Sequence, residues 1–292
     1  MRGLADLHLH TTASDGTLPP SKLVERAHAC GITCLAVTDH DSLESIPEMR
    51  KAAASFGMTF IPGAELSCGG EKEIHVLGYG MDEGNDALIR FCEEKRKERL
   101  ERTREMVRRL SRNSIFISEE RVLELAGGVP CRPHVARAIQ EAGYASSAME
   151  ALRRYLMPGK CGYVPKSDMP VYEGVRVIRE AGGIPVLAHP MQLKKSHGIL
   201  ADLIREWARQ GLGGIEVYHP SADAGDLPAL LRIAKECALL VTGGSDFHGP
   251  EVKPGIEIGT GLYRWRTMDE DVASLLSTLH ISDASETDRG GA

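Results

Sequence analysis

The sequence has no apolar run approaching the roughly 20 residues that a membrane-spanning helix requires. Its first residues, Met1-Arg2-Gly3-Leu4-Ala5-Asp6, do not build the basic and apolar regions of a signal peptide, so the expected location is the cytoplasm. An excess of positive charge is also missing, because the formal net charge is -6. Binding along a duplex backbone relies on surplus Lys and Arg. A general affinity for duplex DNA is therefore excluded, although a local basic pocket can still hold a nucleotide or a short strand. The seven cysteines (Cys30, Cys34, Cys68, Cys92, Cys131, Cys161 and Cys237) are odd in number and form no C-x-x-C pair. Such scatter argues for reduced thiols and against a disulfide framework or a cysteine metal site. No obligate protein partner is evident.

A chain of 292 residues can bury a full-sized core, as one large α/β domain or two smaller ones. Seven short apolar segments read as strands: residues 4–10, 33–38, 59–66, 74–79, 184–188, 214–217 and 239–243. Helical periodicity lies between most of them, at 19–30, 44–56, 171–181, 200–210 and 227–237. The first of these opens on Pro19-Pro20-Ser21 and stops at Gly31, a proline-start and glycine-stop pattern. Short strands alternating with longer helices imply βα units, a parallel sheet and, with seven strands, a closed or nearly closed barrel. The pattern breaks between Tyr79 and Ile184. Helical candidates at 86–112, 119–126, 133–142 and 148–156 form an inserted helical subdomain there, and the polar tail 282–292 is expected to be disordered.

The strand ends carry the chemistry. The first strand closes on His8-Leu9-His10, whose imidazoles share a face because residues i and i+2 of a strand point the same way. Asp15 lies in the next loop. The second strand ends in Thr38-Asp39-His40-Asp41, the third in Gly63-Ala64-Glu65, and His75 lies in the fourth. The remaining strands end in Ala188-His189-Pro190, Tyr218-His219-Pro220 and Ser245-Asp246-Phe247-His248. Each residue alone has an ordinary reading: a hydrogen-bonded histidine, a turn aspartate, a helix cap. Together they do not, since burying so many imidazoles and carboxylates without a cation carries a heavy desolvation cost. The expectation is a metal centre at one mouth of the fold. His28, His197 and His280 fall in a helix, a polar loop and near the tail, and are set aside; His219 either orients a ligand or is structural.

The strings Asp6-Leu7-His8-Leu9-His10, Ser14-Asp15-Gly16, Leu35-Ala36-Val37-Thr38-Asp39-His40-Asp41, Gly63-Ala64-Glu65, Arg132-Pro133-His134, Ala188-His189-Pro190 and Ser245-Asp246-Phe247-His248 resemble the PHP (polymerase and histidinol phosphatase) family from about Leu4 to Gly261. The chain is most similar to the branch that removes the 3′-phosphate of nucleoside 3′,5′-bisphosphates and trims short RNA from its 5′ end. That resemblance implies a distorted (βα)7 TIM-like barrel over 1–82 and 165–281, with a substrate-binding helical insertion at 83–164. It also implies three divalent ions, most often manganese, with iron or zinc as alternatives. By motif, His8, His10, Glu65 and Asp246 hold the first ion. Glu65 bridges to the second, shared with His75 and His134. Asp15, His40 and His248 hold the third, with His189 beside it as ligand or phosphate contact. Glu65, His189 and Asp246 are the expected catalytic residues.

Phosphate monoesters are among the slowest bonds to hydrolyse, and paired cations address this by lowering the pKa of bound water and clamping the attacking and leaving oxygens. Substrate contacts are expected from the insertion. On periodicity alone the stretch 94–109, with its interleaved Arg and Glu, is a solvated helix. The resemblance makes Arg99 and Arg102 phosphate grips, because their spacing to Met106 matches the branch. Arg132, Lys160 and His189 are further candidates, and Tyr163 is a base contact or a core residue. Three other readings compete. A histidinol-phosphate phosphatase commonly has His in place of Asp15, a metal-dependent amide hydrolase has a strand-borne lysine ligand that is absent here, and a non-catalytic metal-binding module would release phosphate from nothing.

Overall fold

Eight strands and ten α-helices are laid out in a computed structural model that describes residues 4–69, 73–259 and 269–281; the tail 282–292 lies outside the described residues. The strands are β1 (Leu4–Asp6), β2 (Ile32–Ala36), β3 (Thr59–Ile61), β4 (Gly63–Cys68), β5 (Ile74–Tyr79), β6 (Ile184–Leu187), β7 (Gly214–Tyr218) and β8 (Leu240–Gly243). Around them run α1 (Pro20–Ala29), α2 (Ile46–Ser55), α7 (Val171–Glu180), α8 (His197–Arg209), α9 (Leu227–Glu236) and α10 (Asp269–Leu279). Each of α1, α2 and α7 to α9 buries one apolar stripe, as with Val171, Val175 and Ile178 of α7. His197, expected in a loop, opens α8 and bonds Asp226 Oδ1 at 2.7 Å.

The fold is a mixed α/β fold, but the strand pairing corrects the all-parallel expectation. Hydrogen-bonded ladders form two sheets, β1-β2-β3 and β4-β5-β6-β7-β8, and no ladder among the described residues closes them into a barrel. The apolar stretch 59–66 is divided at Pro62, which has no N–H to give a ladder. β4 and β5 are linked by residues 69–73, far fewer than the dozen or so a parallel crossover needs, so they pair antiparallel. β5 therefore also runs antiparallel to β6, while β1-β2-β3 and β6-β7-β8 are parallel. The sheets approach each other at two seams. Leu9 bridges to Phe247 with His10 N–H donating to the Phe247 carbonyl at 3.0 Å, and His40 bridges to Glu65.

The reversal of β5 matters for the site. His75 sits near its start, beside the Ala188 that follows β6, so it faces the same mouth as the residues at the ends of the parallel strands. Leu7, Ile61, Tyr79, Val186 and Ala188 pack inside the strands, and the Tyr79 hydroxyl donates to the Leu7 carbonyl at 2.8 Å. On the flank, α3 (Asp86–Arg112), α4 (Glu119–Ala126), α5 (Arg132–Glu141), α6 (Ala148–Ala151) and a π-helical turn (Leu152–Leu156) share a separate apolar cluster that includes Met106, Leu110, Val122, Val135, Ile139 and Leu156. The long polar α3 begins on Asn85, whose side chain accepts from the N–H groups of Ala87 and Leu88. It buries the stripe Leu88, Lys95, Arg99, Thr103, Met106 and Leu110, which turns Arg99 inward.

Candidate metal centre and cleft

Three groups of side chains at this mouth bring ligand atoms within 4.8 Å of one another: His8, His10, Glu65 and Asp246; His10, Asp15, His40 and His248; and His40, Glu65 and His75. Glu65 is the hub. Its Oε2 lies 3.3 Å from His8 Nε2, 3.2 Å from His10 Nε2 and 3.1 Å from His40 Nδ1, while its Oε1 lies 2.8 Å from His75 Nδ1 and 2.9 Å from His189 Nε2. Asp246 Oδ1 lies 3.4 Å from His10 Nε2, and Asp15 Oδ1 lies 3.2 Å from His248 Nε2. Every residue of these groups is buried.

His8 Nε2, His10 Nε2, Asp15 Oδ1, His40 Nδ1 and Glu65 Oε2 are buried atoms with no hydrogen-bond partner among the described residues. Buried polar atoms are nearly always satisfied. Five unsatisfied ones pointing at a common space, in a mixed nitrogen and oxygen donor set, fit divalent cations such as Mn²⁺, Fe²⁺ or Zn²⁺. The charges agree. Burial alone would raise the carboxyls of Glu65, Asp15 and Asp246, yet neighbouring His75 and His40, His248 and His40, and Lys253 and His8 respectively hold them well below the usual range. The backbone is held in sparsely populated left-handed conformations at Asp41 (φ 50°), His189 (φ 29°) and Asp246 (φ 53°), a cost that folds tolerate mainly at functional sites.

Side chains behind the ligand groups set their orientation, and several of these carry no local mark in the sequence. Glu216, inside β7, accepts from His8 Nδ1 at 2.9 Å and from the His189 N–H at 2.7 Å. Asp39 accepts from the Thr11 N–H and hydroxyl and the Ser14 hydroxyl, and Asp6 from the N–H groups of Ser245 and Gly259. His219 Nε2 lies 3.2 Å from Asp246 Oδ2, an oxygen it shares with Lys253 Nζ. The one available signal for Glu216 is a carboxylate on the inward face of an apolar strand.

The ligand positions expected from sequence are brought together with two differences. His134 joins none of the three groups. Its Nδ1 accepts from the Cys131 N–H at 3.0 Å in the first turn of α5, and the ring lines the cleft. His189 stands beside Glu65 and His75 (3.3 Å to His75 Nδ1), not beside Asp15.

A cleft of about 1190 Å³ opens from the cluster between α5 and α6 and the segment 250–254. Arg99, Arg102, Arg132 and Lys166 line it. Lys160 does not: it is exposed in the turn after the π-helical segment, and Lys166 supplies the amine instead. Arg99 is committed elsewhere. Its Nε and Nη2 donate to Asp41 Oδ2 at 2.8 and 2.7 Å, Nη2 also donates to Ser67 Oγ, and Nη1 contacts Cys131 Sγ. Burial and the adjacent Arg132 push the Arg102 guanidinium down to about 10. Although burial opposes it, Lys166 and Arg132 hold Glu73 down to about 2. Tyr163 offers its carbonyl to Arg109 and does not line the cleft.

A family model described as PHP domain matches residues 6–158. The 5′-3′ exoribonuclease Rnm of Salmonella typhimurium is 36% identical over 262 residues, covering 88% of this chain and 89% of its own. The 3′,5′-nucleoside bisphosphate phosphatase of Chromobacterium violaceum is 34% identical over 248 residues, covering 84% of this chain and 87% of its own. A solved structure from Bifidobacterium adolescentis, assigned as a metal-dependent phosphoesterase, is similar with a TM-score of 0.84 and 31% identity, covering 95% of this chain and 97% of that one.

Proposed function

Because this chain belongs to the PHP domain family, we propose that it is a metal-dependent phosphoesterase that removes the 3′-phosphate of nucleoside 3′,5′-bisphosphates and trims short 5′-phosphorylated RNA. The reading rests on five orphaned polar atoms buried at the head of a cleft lined by Arg and Lys. His8, His10, Glu65 and Asp246 would hold one divalent ion, Asp15, His40 and His248 with His10 another, and His40, Glu65 and His75 a third. Manganese is the first candidate, ahead of iron and zinc. Ions bound there would acidify water and neutralise charge on the phosphate. The two sheets are read as a distorted (βα)7 barrel over 1–82 and 165–281 that is open at its seams, and 83–164 as the insertion that walls the cleft.

The chain's own groups prepare that chemistry. Glu216, by accepting from His8 Nδ1, fixes the tautomer that leaves Nε2 free as a ligand. His219 and Lys253 occupy Asp246 Oδ2, so Oδ1 is left to face His8 and His10. His189, bonded through Nε2 to Glu65, stands where it can also meet a phosphate oxygen. Arg102, Arg132 and Lys166 supply the positive wall for a second phosphate, the two guanidinium forks favouring bidentate contacts.

Purified protein with Mn²⁺ should release phosphate from adenosine 3′,5′-bisphosphate faster than from histidinol phosphate or an aryl phosphate. A preference for histidinol phosphate overturns the substrate assignment, and release from none of them overturns the enzyme assignment.

A further inference from the structure

Among the cations that line the cleft lies Glu73, an acid that belongs to none of the three metal groups. Lys166 Nζ lies 3.5 Å from His75 Nε2, which places the wall directly beside the ligand cluster. Glu73 Oε1 accepts from Arg132 Nη2 at 2.6 Å and lies 3.4 Å from Lys166 Nζ. Arg102 gives its Nε to the Val164 carbonyl at 2.9 Å, and among the described residues its guanidinium has no ion-pair partner. Two of the three cations, Arg132 and Lys166, thus share a single carboxylate, and that carboxylate is 31% exposed at the cleft surface.

A carboxylate facing an incoming phosphate repels it, which lowers affinity for every anionic ligand. What it gains is discrimination. A terminal phosphate carries a charge of about -1.5 to -2 near neutral pH and three strong acceptor oxygens. An internal phosphodiester carries one charge and two free oxygens. Glu73 is tethered beside the cations and competes at high effective concentration. A terminal phosphate has the charge to displace it, and a diester does not.

We propose that Glu73 makes the Arg102, Arg132 and Lys166 wall selective for a terminal phosphate monoester over a phosphodiester, by occupying Arg132 and Lys166 until a more highly charged group takes its place. The inference rests on the phosphoesterase reading above and names the substrate feature that this wall selects. It predicts that the free carboxylate swings away from Arg132 when a phosphomonoester binds.

The test is a calorimetric titration of the metal-loaded protein with adenosine 5′-monophosphate and with its 5′-methyl ester. The unaltered protein should bind the monoester about tenfold tighter or better. In Glu73→Gln, which keeps the shape and loses the charge, methyl-ester binding should tighten about tenfold while monoester binding changes less than about threefold, so that the preference narrows. Glu73→Ala should do the same, and unchanged unfolding midpoints show that both variants are folded. The inference is overturned if the unaltered protein has no preference, if the preference survives both substitutions, or if both ligands weaken together, which would make Glu73 a residue that merely positions the cations. Phosphate release from adenosine 3′,5′-bisphosphate is measured on the same preparation. Release without Glu73-dependent discrimination sinks only this inference, and discrimination without release sinks only the phosphatase reading.

Discussion

Arg99 and Arg102 stand three residues apart on α3 and face the same cleft, yet their surroundings give them different work. Burial would raise the Asp41 carboxyl, and Arg99 overcomes this and holds it below the usual range through two N–H donors on one oxygen. Asp41 in turn accepts from the Ser67 N–H at 2.8 Å and is the sequence neighbour of His40, so the pair ties α3 and β4 to the cluster. The family resemblance marks both arginines as phosphate grips, but it carries no information about what each donor meets in this chain. Arg99→Ala leaves a buried carboxylate uncompensated and should cost about 3–5 kcal/mol of stability. Arg102→Ala breaks one bond to a carbonyl and should change stability by less than about 1 kcal/mol while raising KM for a doubly phosphorylated nucleotide. Thermal unfolding and steady-state kinetics on the two variants check this. A stable Arg99→Ala with raised KM would return Arg99 to the substrate.

At the scale of elements, the ends of β1, β2, β6 and β8 were legible because an apolar run closed by His or Asp is a local pattern. Helix α3 was legible to the residue for a similar reason, as a long charged run of helical periodicity. Strand direction was not. Nothing within 74–79 says that β5 runs against its neighbours; its direction is set by the short link at 69–73 and by the strands it meets. Glu216 was hidden because it matters through His8, 208 residues away, and Lys166 because a loop has no period from which to choose it over Lys160. Gly244 is a further long-range requirement. It follows β8 directly and packs on the segment after β1, and a Cβ there would lie 2.1 Å from the His8 Cβ and 2.4 Å from its backbone nitrogen. Gly244→Ala must therefore push His8 out of line, with a cost of about 1–3 kcal/mol or more and a loss of bound metal. Unfolding and metal content measured together test it, and full metal content in the variant would show that the mouth tolerates a shift in its first strand.

The whole molecule carries a net charge of -6 yet concentrates cations on one wall of one cleft, and it draws its clustered donors from positions spread between His8 and His248. Two sheets that no ladder joins among the described residues are brought edge to edge at the same mouth, where Leu9 meets Phe247 and His40 meets Glu65. Fold and site depend on each other there, because the bridging residues are ligand candidates or their sequence neighbours. No helix among the described residues is long and apolar enough to cross a membrane. The proposed cage of cations is tested most directly by diffraction from crystals grown with Mn²⁺, recorded on both sides of the manganese absorption edge. Anomalous peaks in contact with Glu65, one of them shared with His8, His10 and Asp246, are the expected result. Ordered side chains at these positions with no anomalous peak among them, at saturating Mn²⁺, would contradict it.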